Sequence, residues 1–169
     1  MDEDRKEYKP ELIPRRGELV AWALCLMIAA PWLGMRLYGV RLPFILPLLG
    51  GVLLLAALSI SLGNWMDRHT SLRIDPDGLA FHNGLRDVQL RWDQVKEVRV
   101  NPSSWSKKVW VIGDQARFDF NTLGEVKYRG ELKGRTGFVD GEGILRQIVL
   151  NSGLEIVDQL GDSYTYARR

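Results

Sequence analysis

The chain has 169 residues, 46% of them hydrophobic, and a formal net charge of +2 with basic and acidic residues in nearly equal number. That balance argues against the one-signed field of a nucleic-acid-binding surface. A single cysteine, Cys25, excludes an internal disulfide and every cysteine-based metal spacing.

Residues 1–18 form a charged N-terminal tail, with Asp2, Glu3, Asp4, Arg5, Lys6 and Glu7 at its front. Pro10 and Pro14 break any long helix there, so the expectation is a loosely attached segment. Residues 19–35 and 42–66 then carry no formal charge, and only six residues separate the two runs. A hydrocarbon layer of about 30 Å needs roughly 20 helical residues to cross it. Residues 19–66 therefore read as a two-helix transmembrane hairpin. Arg15 and Arg16 precede the first run, and Arg68 and Arg73 follow the second, against Arg36 and Arg41 in the turn. The bias predicts both termini in the cytoplasm and a multi-pass protein of a bacterial inner membrane.

Small residues recur every four positions on the first helix at Ala21, Cys25 and Ala29, and on the second at Ala57 and Ser61. Such stripes let backbones approach where lipid supplies little hydrophobic force between helices. They serve packing within the hairpin or against a further membrane helix; the spacing alone leaves both open. Trp32, Tyr38 and Trp65 fall where an interfacial aromatic belt would sit. Neither run contains an acid or a histidine, which argues against a proton path or a cofactor held in the bilayer.

From residue 70 to 169 the periodicity is that of strands. Leu72 and Ile74 alternate with polar residues, Asp75, Pro76, Asp77 and Gly78 make a turn, and Leu79 and Phe81 return. Val88 to Trp92, Val95 to Val100, Val109 to Ile112 and Arg117 to Phe120 continue the series. The glycine-rich 124–143 segment reads equally as a long hairpin or an extended loop, and its glycines match no phosphate-binding fingerprint. Ile144, Leu145, Ile148 and Val149 fall at helical spacing, stopped by Asn151, Ser152 and Gly153. One further strand is expected at Leu154 to Val157. The fold class is a membrane α-helical hairpin plus a mainly β (α+β) domain.

The run Leu72, Arg73, Ile74, Asp75, Pro76, Asp77, Gly78, Leu79, followed by Val88, Leu90, Trp92, Asp93, Val95 and Val98, resembles the bacterial pleckstrin-homology-like family. The resemblance implies a PH-like bent antiparallel sheet or barrel capped by a helix, joined to transmembrane helices. It also implies a membrane-anchored scaffold or interaction domain without chemistry of its own. Phosphoinositide binding is not implied, because Asp75 and Asp77 occupy the turn where a phosphate site needs bases.

Catalysis is not expected. His69 and His82 have no metal-ligand partner at short spacing, and Ser103, Ser104 and Ser106 lie in no nucleophile elbow. No cofactor or metal is implied. Residues 101–108 hold the candidate contact, Trp105 followed by Lys107 and Lys108. This stretch is either an exposed loop whose tryptophan folds back, or a tip that meets the membrane surface or a neighbouring subunit. The expected partners are the lipid bilayer with an integral membrane protein or a second copy, and no nucleic acid. Two functions follow: an accessory or scaffold subunit of a larger membrane complex, or a stand-alone tethered domain that recruits a soluble protein or touches anionic lipid.

Overall fold

The computed structural model describes residues 6–12, 14–39 and 43–168, in two compact units. Asp2, Glu3, Asp4, Arg5, Arg41 and Leu42, which carried part of the charge and span reading, lie outside the described residues.

One unit, residues 14–66, is the helical hairpin. Helix α1 spans Arg16–Leu37 and helix α2 spans Ile45–Arg68. At 1.5 Å per residue they are about 33 Å and about 36 Å long, each enough to cross the apolar layer of a bilayer. Helix α1 starts three residues earlier than the uncharged run and so takes Glu18 into its first turn. The helices are exposed along most of their length: Leu26 is 63%, Met27 69% and Leu55 67% accessible. Only Cys25 and Ala57 are buried among the described helix residues. Core helices of a water-soluble protein hide an apolar face, whereas these two are largely exposed and are candidate membrane spans.

The other unit joins residues 1–13 to residues 67–169. The described part of the N-terminal segment, residues 6–12, is not a loose tail. Strand β1 (Lys6–Tyr8) pairs antiparallel with β3 (Thr70–Asp75), Tyr8 opposite Leu72, and Tyr8 packs against the core. Strand β2 (Pro10–Glu11) pairs with β10 (Glu131–Phe138) through Gly137 and Phe138. Pro10 is tolerable because it sits in a two-residue strand at a sheet edge. The helical hairpin is therefore an insertion between two strands of one β domain.

Strands β4 (Gly78–Asn83) and β5 (Asp87–Arg91) complete the sheet β1-β3-β4-β5. After a 3-10 turn at Trp92–Gln94 come β6 (Val95–Pro102), β7 (Lys107–Gly113) and β8 (Arg117–Asn121). They form a second sheet with the C-terminal strands β11 (Glu155–Leu160) and β12 (Ser163–Ala167), in the order β11-β12-β6-β7-β8. The tail thus supplies two strands where one was expected, and Tyr164 and Tyr166 of β12 pack on the core. Between the sheets, alternate residues of each strand are buried: Leu72, Val98, Val109 and Val111 are fully enclosed. Phe81 stacks on Phe118 at 4.8 Å, Phe118 on Phe120 at 6.4 Å, and Phe138 meets Phe120 edge-on at 5.7 Å. Helix α3 (Gly141–Ser152) closes this core with Ile144, Leu145 and Ile148, and ends at Gly153 in the left-handed conformation.

The glycine-rich segment resolves as a hairpin, β9 (Gly124–Tyr128) with β10, in a small sheet ordered β2-β10-β9. Its two-residue turn holds Arg129 at φ 52° and Gly130 at φ 82°. Positive φ at both positions matches the twist of the flanking strands, although an arginine there costs energy that glycine or asparagine would not. Gly137, at φ 95°, is where β10 passes over the end of β8. A Cβ at Gly137 would overlap the carbonyl oxygens of Thr122 and Asn121. Both space and backbone therefore demand glycine. Replacing Gly137 with alanine is expected to destabilise the β domain by about 2 kcal/mol or more, since backbone must move to admit it. A drop in the thermal midpoint of the detergent-solubilised chain measures it; an unchanged midpoint would mean β10 adjusts freely.

Candidate membrane and partner interface

Helices α1 and α2 run antiparallel, and polar side chains join their free ends. Glu18 accepts from the Ser61 hydroxyl at 2.9 Å and from the Asn64 amide at 2.8 Å. The indole of Trp22, one turn along from Glu18, donates to the Ser61 oxygen at 2.8 Å. All four side chains are thereby partnered, which is what polar groups near hydrocarbon require. Ser59 turns its hydroxyl back on its own helix, to the Leu55 carbonyl. Further up the hairpin Gly50 lies against Ile28, with a Cβ 3.8 Å from its methyl group.

Of the small residues, Cys25 is 7% and Ala57 0% exposed. Ala21 is half-buried, Ser61 belongs to the polar cluster, and Ala29 is exposed. Ala30 is exposed too, and Gly34 has nothing within 4 Å of where a Cβ would be. The upper part of the small-residue face on α1 is thus left uncovered by α2. Glu18 was not among the residues singled out from the sequence. Its signal is weak but present: Glu18 and Trp22 lie one turn apart, as do Ser61 and Asn64, on the ends that a hairpin brings together.

The Trp105 stretch is shorter than its sequence suggests. Strand β6 runs on to Pro102 and β7 starts at Lys107, so the connection is residues 103–106, closed by the Ser103 amide on the Ser106 carbonyl at 2.7 Å. Trp105 is 57% exposed and does not fold back into the core. The loop is braced from beneath. The Lys107 amide donates to the Thr122 hydroxyl at 3.0 Å, and Gly124 is so close that a Cβ would lie 2.8 Å from the Trp105 carbonyl oxygen.

The two lysines are strand residues with acidic partners, not free cations at a tip. Lys107 meets Glu142 at 2.8 Å, and that hydrogen bond holds its ammonium above the ordinary lysine range. Lys108 pairs with Asp119 at 3.0 Å and lies 4.4 Å over the Trp110 ring. Each charge is compensated within the domain, so Trp105 is the part of the motif that remains presented.

Trp92 proves to be a structural residue. Its indole donates to the Pro76 carbonyl at 2.8 Å and so pins the acidic β3–β4 turn, while Arg168 donates to the Trp92 carbonyl at 3.1 Å. Asp75 and Asp77 stay in that turn, in a groove that Arg73 and Arg91 also line. His82 is exposed on β4, and among the described residues no cluster of three histidine, cysteine or carboxylate groups could hold a metal ion. A cleft of about 190 Å³ opens beside β10, floored by Phe81, Phe120 and Phe138 and rimmed by Glu11, Asp67, Asp119 and Arg86. It is below the usual size of a cofactor site.

The hairpin packing gives a direct contrast. Ala57→Phe places a large ring where no surface is exposed, and is expected to cost about 1–3 kcal/mol of hairpin stability. Ala29→Phe, on an open face, is expected to stay within about 0.5 kcal/mol. Thermal melts of both variants in the same detergent check this; equal losses would mean that α1 and α2 do not pack through Ala57.

Comparison with known proteins adds one finding. No match was found among curated proteins or among solved structures. Residues 69–137 match the family model described as bacterial PH domain, a family of non-catalytic binding modules. The match starts immediately after α2 ends at Arg68. Residues 69–137 of the β domain are thus similar to a bacterial PH domain, the antiparallel sheets are consistent with a PH-like fold, and two apolar helices that are candidate membrane spans lie N-terminal to the match.

Proposed function

We propose that this chain is a non-catalytic accessory or scaffold subunit of a larger membrane complex. Its two helices span the inner membrane, both termini lie in the cytoplasm, and the PH domain is held at the membrane surface to bind a partner. The observation that carries this reading is the insertion of the apolar hairpin between β2 and β3 of one domain. Strands on either side of the hairpin pair with each other, so both ends of the hairpin must emerge on the same side of a bilayer. Two crossings satisfy that; one crossing would tear the domain apart. Arg15, Arg16 and Arg68 at those ends favour the cytoplasmic side.

A membrane partner is favoured by the uncovered face at Ala29, Ala30 and Gly34, where another helix could approach closely. The second reading, a stand-alone tether that recruits a soluble protein, is favoured by Trp105, since exposed tryptophans anchor many protein interfaces. Purification of the full chain in mild detergent separates the two. The expected result is an integral membrane protein retained with the parent chain and released by Gly34→Leu, with Trp105→Ala lowering retention less. Recovery of the chain with soluble protein alone, lost in Trp105→Ala, would replace the first reading with the second. Orientation is checked on a Cys25→Ser chain with Ser163→Cys: an impermeant thiol reagent is expected to label it only after the membrane is opened.

A further inference from the structure

Helix α1 is apolar almost all round, so its hydrophobic pattern gives it no face of its own to turn toward α2. One stripe on it is nevertheless covered, Glu18, Trp22, Cys25 and Ile28 at helical spacing. The matching stripe on α2 is Gly50, Ala57, Ser61 and Asn64. Cys25, Ile28, Gly50 and Ala57 meet by shape alone, and apolar contact between helices leaves register loosely specified. The polar end of the two stripes does not.

The hydrogen bonds there run in one direction. The Trp22 indole donates to the Ser61 oxygen at 2.8 Å, and the Ser61 hydroxyl donates to one Glu18 oxygen at 2.9 Å. The Asn64 amide donates to the other Glu18 oxygen at 2.8 Å. Every proton points toward Glu18, and all three donors are uncharged. Such an array needs a group that accepts at both oxygens and donates at neither. An ionised carboxylate does this and a protonated one does not. Bonds to an ionised acceptor are also roughly twice as strong as neutral ones. Turning α1 to a neighbouring face would bring Gly17, Leu19 or Val20 to Ser61 and Asn64, none with a side-chain acceptor.

We propose that the negative charge of Glu18 locks the helical hairpin: it selects the face of α1 that meets α2 and holds the open ends of the two helices in one register. Glu18 is a positioning residue, acting through Ser61 and Asn64. The lock is internal to residues 14–66. It goes beyond the proposed function, since it holds equally for a complex subunit and for a stand-alone tether.

The test uses the full chain with Cys25→Ser, reconstituted in phosphatidylcholine nanodiscs. Spin labels at Val20→Cys and Leu62→Cys, both exposed positions, report the separation of the open ends by double electron–electron resonance. A second pair, Leu33→Cys and Leu48→Cys, reports the end nearest the turn. The parent is expected to give one narrow distance at each pair. Asn64→Asp sets two carboxylates against each other and is expected to lose the narrow distance at the open end. Combining Glu18→Gln with Asn64→Asp moves the charge to the other helix and supplies an amide donor opposite it. That exchange is expected to bring the narrow distance back, which a merely tolerant packing site would not do. Glu18→Leu is expected to broaden the open end while the turn end stays narrow. A narrow open end in Asn64→Asp or in Glu18→Leu overturns the lock and assigns closure to apolar packing. Broadening in Asn64→Asp that the exchange does not cure overturns it as well, whether or not the turn end broadens too.

Discussion

The hydrogen-bonded ladder between β1 and β3, with the shorter one between β2 and β10, is the constraint from which the architecture follows. It binds residues that precede the apolar hairpin to residues that follow it. Each backbone hydrogen bond contributes only about 1 kcal/mol net, yet the ladder acts through geometry more than through energy. A domain that receives strands from both ends of an insertion fixes those ends on one side of any barrier. A hairpin that crossed a bilayer would then do so an even number of times, whatever the charge of the flanking residues.

The chain also solves two solvent problems with different forces. In the β domain, Leu72, the valines of β6 and β7 and the stacked Phe81 and Phe118 leave water, and hydrophobic burial holds the sheets together. In the hairpin few side chains are buried, and were it in lipid that force would be nearly absent, because lipid is as apolar as the helix surface. There the contacts are few and specific: Cys25 and Ala57 close the gap, and Glu18, Ser61, Asn64 and Trp22 satisfy one another at the helix ends.

What was legible in the sequence follows the same division. Strands β3 to β8 and helix α3 announce themselves by period, since alternate residues face one core and the stop at Gly153 is local chemistry. The helical hairpin is legible because the absence of charge over such lengths is itself a signal. Strands β1 and β2 were not, because two- and three-residue strands at a sheet edge have no period and draw their structure from partners more than 60 residues away. Lys107 and Lys108 looked like an exposed basic tip for a related reason. Glu142 on α3 and Asp119 on β8 neutralise them, and only the fold brings those acids near. The hairpin at β9 and β10 stood undecided because glycines blur the alternation of a strand as readily as they make a loop. Glu18 escaped notice because it stands one position outside the uncharged run, in a turn of helix that begins earlier than the apolar residues do.

The insertion of the hairpin has a consequence for how the molecule is made. Strands β1 and β2 leave the ribosome well before their partners do. Lys6–Tyr8 waits for Thr70–Asp75, and Pro10–Glu11 waits for Gly137 and Phe138 near the far end of the domain. In between, two apolar helices fold back on each other. Loop closure over such a separation grows only slowly with length, and anchoring the intervening segment as an antiparallel pair brings its ends together before either strand is needed. Pairing of the two helices thus turns a distant contact into a near one. The brevity and charge of β1 keep the waiting strand from pairing with a neighbouring nascent chain.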